Sequence, residues 1–241
     1  MAGQSNAVGY GATESTETPS AQDAIDYNTV SGHVRDVRDP TGFNSYKAEF
    51  GSFIPKFVKD YVAATGHNVL IVKTAVGGTS QAQWESGDLL NTSITGINDA
   101  ATWADGLGAI VELKGILWSQ GERDASNINA GSQTKAAYKT SFTNMINTLR
   151  TTFGTDLHIF IARTGTQTGA SDVGYQDIRD AQDELAAASS YVVMAHTNSV
   201  NFAAQSKMVD SLHYDTNGLD EIGAAFASSV AATAPTGIPL P

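Results

Sequence analysis

Four short apolar runs, residues 68–75, 115–119, 157–163 and 191–196, alternate with longer stretches whose apolar residues recur every three or four positions. That alternation confines the chain to an α/β fold. Consecutive parallel strands need a crossover about as long as a helix, and a sheet so connected is covered by helices on both faces. Phe50, Phe53, Ile54, Phe57, Val58 and Tyr61 form one helical stripe, and Gly66 supplies its stop. Residues 136–149, 177–188 and 219–232 read as further helices. With 241 residues, 41% of them hydrophobic, one sizeable core is affordable, so residues 1–233 are expected to form one domain. Residues 234–241 hold three of the six prolines and read as a linker-like tail.

Two stretches resist this reading. Residues 11–45 follow neither period and are rich in Ser, Thr, Asp and Gly, as a long excursion from the sheet would be. Such an excursion shapes a binding site or simply covers surface. Residues 3–9 look like a strand-to-helix turn, yet only Met1 and Ala2 precede it as strand. Either the chain extends upstream or something else covers the centre of the sheet.

Several function classes are excluded by composition. A net charge of -11, from 25 acidic and 14 basic residues, repels phosphate backbones and anionic lipid, so neither nucleic acid nor a membrane surface is an expected partner. The chain has no Cys, which removes disulfides, thiolate nucleophiles and Cys-based zinc sites. No apolar stretch approaches the roughly 20 residues of a membrane span, and no basic-then-apolar start reads as a signal peptide.

Four segments carry polar residues and glycines that a plain α/β core does not need. Gly3, Gln4, Ser5 and Asn6 would place a hydroxyl at a helix start, beside free backbone N–H groups, or would merely cap the helix. Gly77 and Gly78, before Thr79, would let a backbone N–H approach a ligand closely, or end a strand. Gln120, Gly121 and Glu122 close the second apolar run, where a Gln amide can meet a developing oxyanion and a Glu can orient a base, or where acidic residues merely open a helix. Asp210 stands three residues before His213, near enough to fix its tautomer. Trp84, just past the glycines, would stack on a sugar ring if exposed and pack the core if not.

In order and position these four segments resemble the SGNH hydrolase superfamily, most closely the carbohydrate esterases that include acetylxylan and sialate O-acetylesterases. Gly3 to Asn6 is similar to that group's GQSN, Gly77 to Thr79 to its GGT, Gln120 to Glu122 to its QGE, and Asp210 to His213 to its DxxH. The segment at Ile161 to Arg163 and that at Arg179 to Gln182 look like supporting elements.

The resemblance spans nearly the whole chain. It implies a three-layer αβα sandwich of flavodoxin-like kind with a five-stranded, mainly parallel sheet. It further implies hydrolysis of O-acetyl esters on a carbohydrate, without metal or organic cofactor. By carry-over Ser5 is the nucleophile, His213 the base and Asp210 its orienting acid, with Glu122 a rival for that last role. Ser5 and Gly78 N–H groups and the Gln120 amide resemble the oxyanion donors, with Gln4 and Gly77 beside them. Alternative readings are a thioesterase or lysophospholipase with the same machinery, and a glycan-binding module of a surface or phage tail protein that has lost turnover. A polymeric substrate points to an extracellular or virion-associated protein, and the tail to a larger multidomain chain.

Overall fold

The structure, a computed structural model, describes residues 1–42, 50–233 and 238–239. Three residues of the irregular stretch, 43–45, and six of the proline-rich tail, 234–237 and 240–241, lie outside the described residues.

Among the described residues, strands β1 (Ala2–Gly3), β2 (Ala24–Tyr27), β3 (Val34–Asp36), β4 (Val69–Val72), β5 (Glu112–Leu113), β6 (Ile116–Ser119), β7 (Ile159–Ala162), β8 (Val192–His196) and β9 (Ile238–Pro239) alternate with eight α-helices. Those are α1 (Ser5–Val8), α2 (Ile54–Thr65), α3 (Ala82–Glu85), α4 (Asp88–Asp105), α5 (Glu122–Asn129), α6 (Lys135–Phe153), α7 (Val173–Ala188) and α8 (Thr216–Ala232). Four strands pair in the order β1-β6-β7-β8, all parallel. Three more pair as β3-β2-β4, with β2 parallel to β4 and β3 antiparallel at the edge.

The main sheet thus has four strands rather than the expected five. Its fifth neighbour is the chain at and beyond β4. Met1 N donates to Val72 O at 2.7 Å, Thr74 N to Met1 O at 3.0 Å and Val76 N to Gly3 O at 2.9 Å. Those bonds stitch the two sheets along β1.

Period-2 alternation sorts the strands between two cores. Ile116, Trp118, Ile159, Ile161 and Val192 face one layer, with Tyr138, Phe142 and Met145 of α6 and Ile178 of α7. Leu117, Phe160 and Ala162 face the other, with Phe57 and Val58 of α2 and Phe226 of α8. The result is the three-layer αβα architecture implied by the sequence.

Structure departs from the sequence reading mainly in residues 11–45. This excursion contains β2 and β3, whose residues are too short a run to show a period. Buried Asp39 holds it in place, accepting from Ser15 N (2.9 Å), Ser52 N (2.9 Å) and Ser52 Oγ (2.7 Å). Helix α4 lies where the sequence reading places no element, although Leu90, Ile94, Ile97, Ala101 and Ala104 recur every three or four positions. Helix α5 begins at Glu122, the helix start that the acidic segment allows.

Parallel strands bring their carboxyl ends to one edge, and the four motifs follow there. A cavity of about 600 Å³ lies elsewhere, lined by Val69, Ile71, Ile97, Ala101, Leu107 and Ile116, and it shares no residue with the motifs.

Candidate active site

Ser5 owes its position to two glycines. Gly3, at φ 138°, ends β1 so closely against β6 that a Cβ would fall 2.1 Å from Ser119 O. Gly9, at φ 86°, ends α1 where a Cβ would lie 1.5 Å from Gly51 O. Only glycine fits either place, and the single turn between them holds Ser5 at its first position.

From the far end of the chain the loop after β8 returns His213 to that serine. His213 Nε2 lies 3.0 Å from Ser5 Oγ, and His213 Nδ1 lies 2.8 Å from Asp210 Oδ2. Asp210 Oδ1 also accepts from the backbone N–H groups of Leu212 and His213, each at 2.7 Å, so the carboxylate folds back onto its own loop. Partial burial raises the Asp210 pKa, but the bonds from His213 and Leu212 outweigh it and hold the carboxyl below its ordinary value. An ionised carboxylate only accepts, so Nδ1 carries the imidazole proton and Nε2 is left to accept from the Ser5 hydroxyl.

Glu122 is not on the imidazole. It is buried at the start of α5, and its Oε1 accepts from Asn6 Nδ2 at 2.6 Å. Asn6 Oδ1 in turn accepts from Tyr214 N at 3.0 Å. Glu122 therefore braces the His213 loop through Asn6. Burial pushes its pKa up, partly offset by the Asn6 bond, and among the described residues its Oε2 has no partner.

The glycine segment after β4 arrives beside the serine. A Cβ on Gly77 would lie 3.8 Å from Ser5 Cβ, and Gly78 takes φ 73°. Both glycines are exposed, and among the described residues neither Ser5 N–H nor Gly78 N–H has a backbone partner. Backbone N–H groups left without a partner near a nucleophilic hydroxyl can receive a carbonyl oxygen that gains charge.

Three expectations need correction. Trp84 is fully buried, edge-on to Trp118 at 5.4 Å, and donates its indole N–H to Thr79 Oγ1 at 2.9 Å. It supports the glycine segment from beneath and cannot reach a sugar. Gln120, 1% exposed, spends its amide on Thr79 O at 3.1 Å and on Asp124 Oδ2, so no N–H is left for an oxyanion. Asp124 draws it inward because that buried carboxylate collects donors, including Gln81 N at 2.9 Å and Gln133 Nε2 at 2.7 Å. Gln4, 2% exposed, is likewise an internal brace, its Oε1 accepting from Arg123 N at 3.2 Å.

Asn6, Tyr10 and Arg123 also belong to the site, and the motifs give no role to Tyr10 or Arg123. Asn6 was legible as the last letter of its motif. Tyr10 is 46% exposed with its ring centroid 4.6 Å from that of His213. Exposed Arg123 donates Nε–H to Gly78 O at 3.0 Å. Among the described residues no cluster of three His, Asp or Glu has the arrangement of a metal site. The supporting segments expected at Arg179 and Gln182 join the loops after β6 and β7. Gln182 bonds Thr164 N and Gln120 O, each at 3.0 Å, while Arg179 donates to Gly165 O at 2.7 Å.

Residues 1–232 match the family described as carbohydrate esterase, sialic acid-specific acetylesterase. The chain belongs to this carbohydrate esterase family. It is therefore a carboxylic ester hydrolase. The esterase is similar in structure to a protein from Arabidopsis thaliana, with TM-score 0.75 at 19% identity over 97% of this chain and 96% of that one. It is also similar to a carbohydrate acetylesterase from Xanthomonas citri, with TM-score 0.65 at 20% identity over 95% of the esterase but 55% of the other chain. At these identities the likeness bears on fold. No curated protein matches the esterase significantly.

Proposed function

We propose that this esterase removes acetyl groups from an O-acetylated carbohydrate through an acyl-enzyme on Ser5. The observation that carries the reading is the continuous line of hydrogen bonds from Asp210 through His213 to Ser5, at 2.8 and 3.0 Å. His213 Nε2 takes the hydroxyl proton while Oγ bonds to the acetyl carbon. The tetrahedral oxyanion is held by Ser5 and Gly78 N–H groups. The bond from that carbon to the sugar oxygen then breaks, and the Nε2 proton passes to the departing sugar. Water then bonds through its oxygen to the acetyl carbon while Nε2 takes one of its protons, the bond from that carbon to Ser5 Oγ breaks, Oγ recovers the proton from Nε2, and acetic acid leaves and ionises to acetate.

Asp210 orients the imidazole and stabilises its charged form, whereas Glu122 positions the loop through Asn6. The family's description and the name of the Xanthomonas relative both support acetyl as the acyl group. A polymeric, O-acetylated substrate goes with an extracellular or virion-associated setting.

A series of 4-nitrophenyl esters of increasing acyl length tests the acyl group. The expected order places acetate first, with a steep fall beyond a few carbons. Preference for long chains would instead indicate a lysophospholipase or thioesterase, and no turnover with any ester would favour a glycan-binding module. Acetate release from acetylated xylan, O-acetylated sialic acid and acetylated bacterial capsule then ranks the sugars.

A further inference from the structure

The loss of Trp84 to the core leaves the question of what meets the sugar, and the site contains an aromatic that neither the motifs nor the hydrogen-bond line uses. We infer that the exposed ring of Tyr10 is the platform on which a pyranose ring of the substrate lies while its acetyl group reaches Ser5. This rests on the esterase reading above and adds a sugar subsite to it.

Tyr10 is held rigidly. Tyr10 N donates to Ser5 O at 3.0 Å, alongside the Gly9 N bond to the same oxygen at 2.9 Å, so the residue is tied to the turn that carries the nucleophile. On one side its ring packs on the buried ring of Phe50, with centroids 5.0 Å apart. On another it meets the His213 imidazole at 4.6 Å with the planes inclined by 44°. A side chain wedged between two rings has already given up its rotamer freedom, so a ligand that lies on it adds little ordering cost.

The His213 ring that Tyr10 touches is the one whose Nε2 contacts Ser5 Oγ, so the leaving group of an ester bound at Ser5 departs next to the phenol. Tyr10 remains 46% exposed despite both contacts, and Val209, also 46% exposed, adjoins the same turn through Gly11. Val209 N donates to His213 O at 2.8 Å, which makes it part of the same rim. Both exposed side chains stand beside the meeting point of Ser5 and His213, where a bound sugar ester has to lie. A pyranose ring offers C–H groups on one face and hydroxyls at its edge, so it can cover the phenol without stripping water from its polar groups.

The test compares kcat and KM of wild type, Tyr10→Ala, Tyr10→Phe and Tyr10→Trp on 6-O-acetylglucose and on ethyl acetate, which has no ring to stack. Acetate release is the readout for both. Tyr10→Ala should lower the ratio of kcat/KM for the sugar ester over the alkyl ester by about three- to tenfold, mainly through KM. Tyr10→Phe and Tyr10→Trp should keep the ratio near wild type, because the ring face and not the hydroxyl carries the contact. An equal fall on both esters would overturn the proposal and make Tyr10 a packing support for His213. So would an unchanged ratio, or a wild type that turns over ethyl acetate and no sugar ester. Failure of the esterase reading has a different signature, since neither ester would then be hydrolysed in a Ser5-dependent way.

Discussion

Ser5→Ala is expected to lower turnover of 4-nitrophenyl acetate by about 10⁶-fold, leaving the residual rate that binding and N–H donors alone provide. Among the described residues, Ser5 Oγ is the one hydroxyl that meets His213 Nε2, at 3.0 Å. Its removal takes away both the attacking atom and the proton that His213 is placed to accept. The fold should survive, because Ser5 makes its structural bonds through its backbone carbonyl, to Gly9 and Tyr10, and Ala has a high helix propensity. Steady-state rates together with an unchanged unfolding midpoint check both halves. A variant with wild-type rates would remove Ser5 from the chemistry.

The second large effect separates the two carboxylates. Asp210→Asn should lower kcat by about 10⁴-fold, because an amide can donate to Nδ1 and so turn the imidazole to the tautomer that cannot accept from Ser5. Glu122→Gln should lower kcat less than about tenfold, since an amide oxygen can still accept from Asn6 Nδ2. The stability of the two variants should diverge as well. The pKa of Glu122 is raised from 4.5 by burial, so its folded form binds the proton more tightly than its unfolded form. Its favourable contribution is present below pH 4.5 and is lost as pH rises through the folded value. Gln carries no such loss, so Glu122→Gln should gain stability relative to wild type as pH rises from 4.5 through the folded value, and hold that gain above it. For Asp210 the folded pKa is lowered, and the sign reverses. Its contribution is present at neutral pH and fades on acidification, so Asp210→Asn should cost most above the ordinary carboxylate range. Urea unfolding at several pH values reads both trends, and a larger kcat loss for Glu122→Gln than for Asp210→Asn would exchange their roles.

How much of this was legible in the sequence depends on how local each determinant is. Strands β4, β6, β7 and β8 were visible because runs such as Ile116–Ser119 are apolar on both faces, as strands between two helical layers must be. The Asp210 and His213 spacing was readable for a similar reason, since three residues suffice for a carboxylate to turn back on a ring in the same loop. What escaped depends on which polar groups become buried together. Gln120 looks like a free amide until the buried carboxylate of Asp124, four positions on, gathers it together with Gln81 N and Gln133 Nε2. Trp84 could be either platform or core, and the decision rests with Trp118, thirty-four positions on, and with Thr79, which satisfies the indole N–H. Tyr10 has no periodic neighbours at all. Its importance comes from a loop 203 residues away that lays His213 against it.

The account stands most directly on a covalent intermediate at one serine. Mass spectrometry of enzyme quenched during turnover of 4-nitrophenyl acetate should find an acetyl group on the peptide that contains Ser5, at a level that rises when deacylation is slowed. Rapid ester hydrolysis with that peptide unmodified, and with the acetyl group absent or carried by another residue, would contradict it.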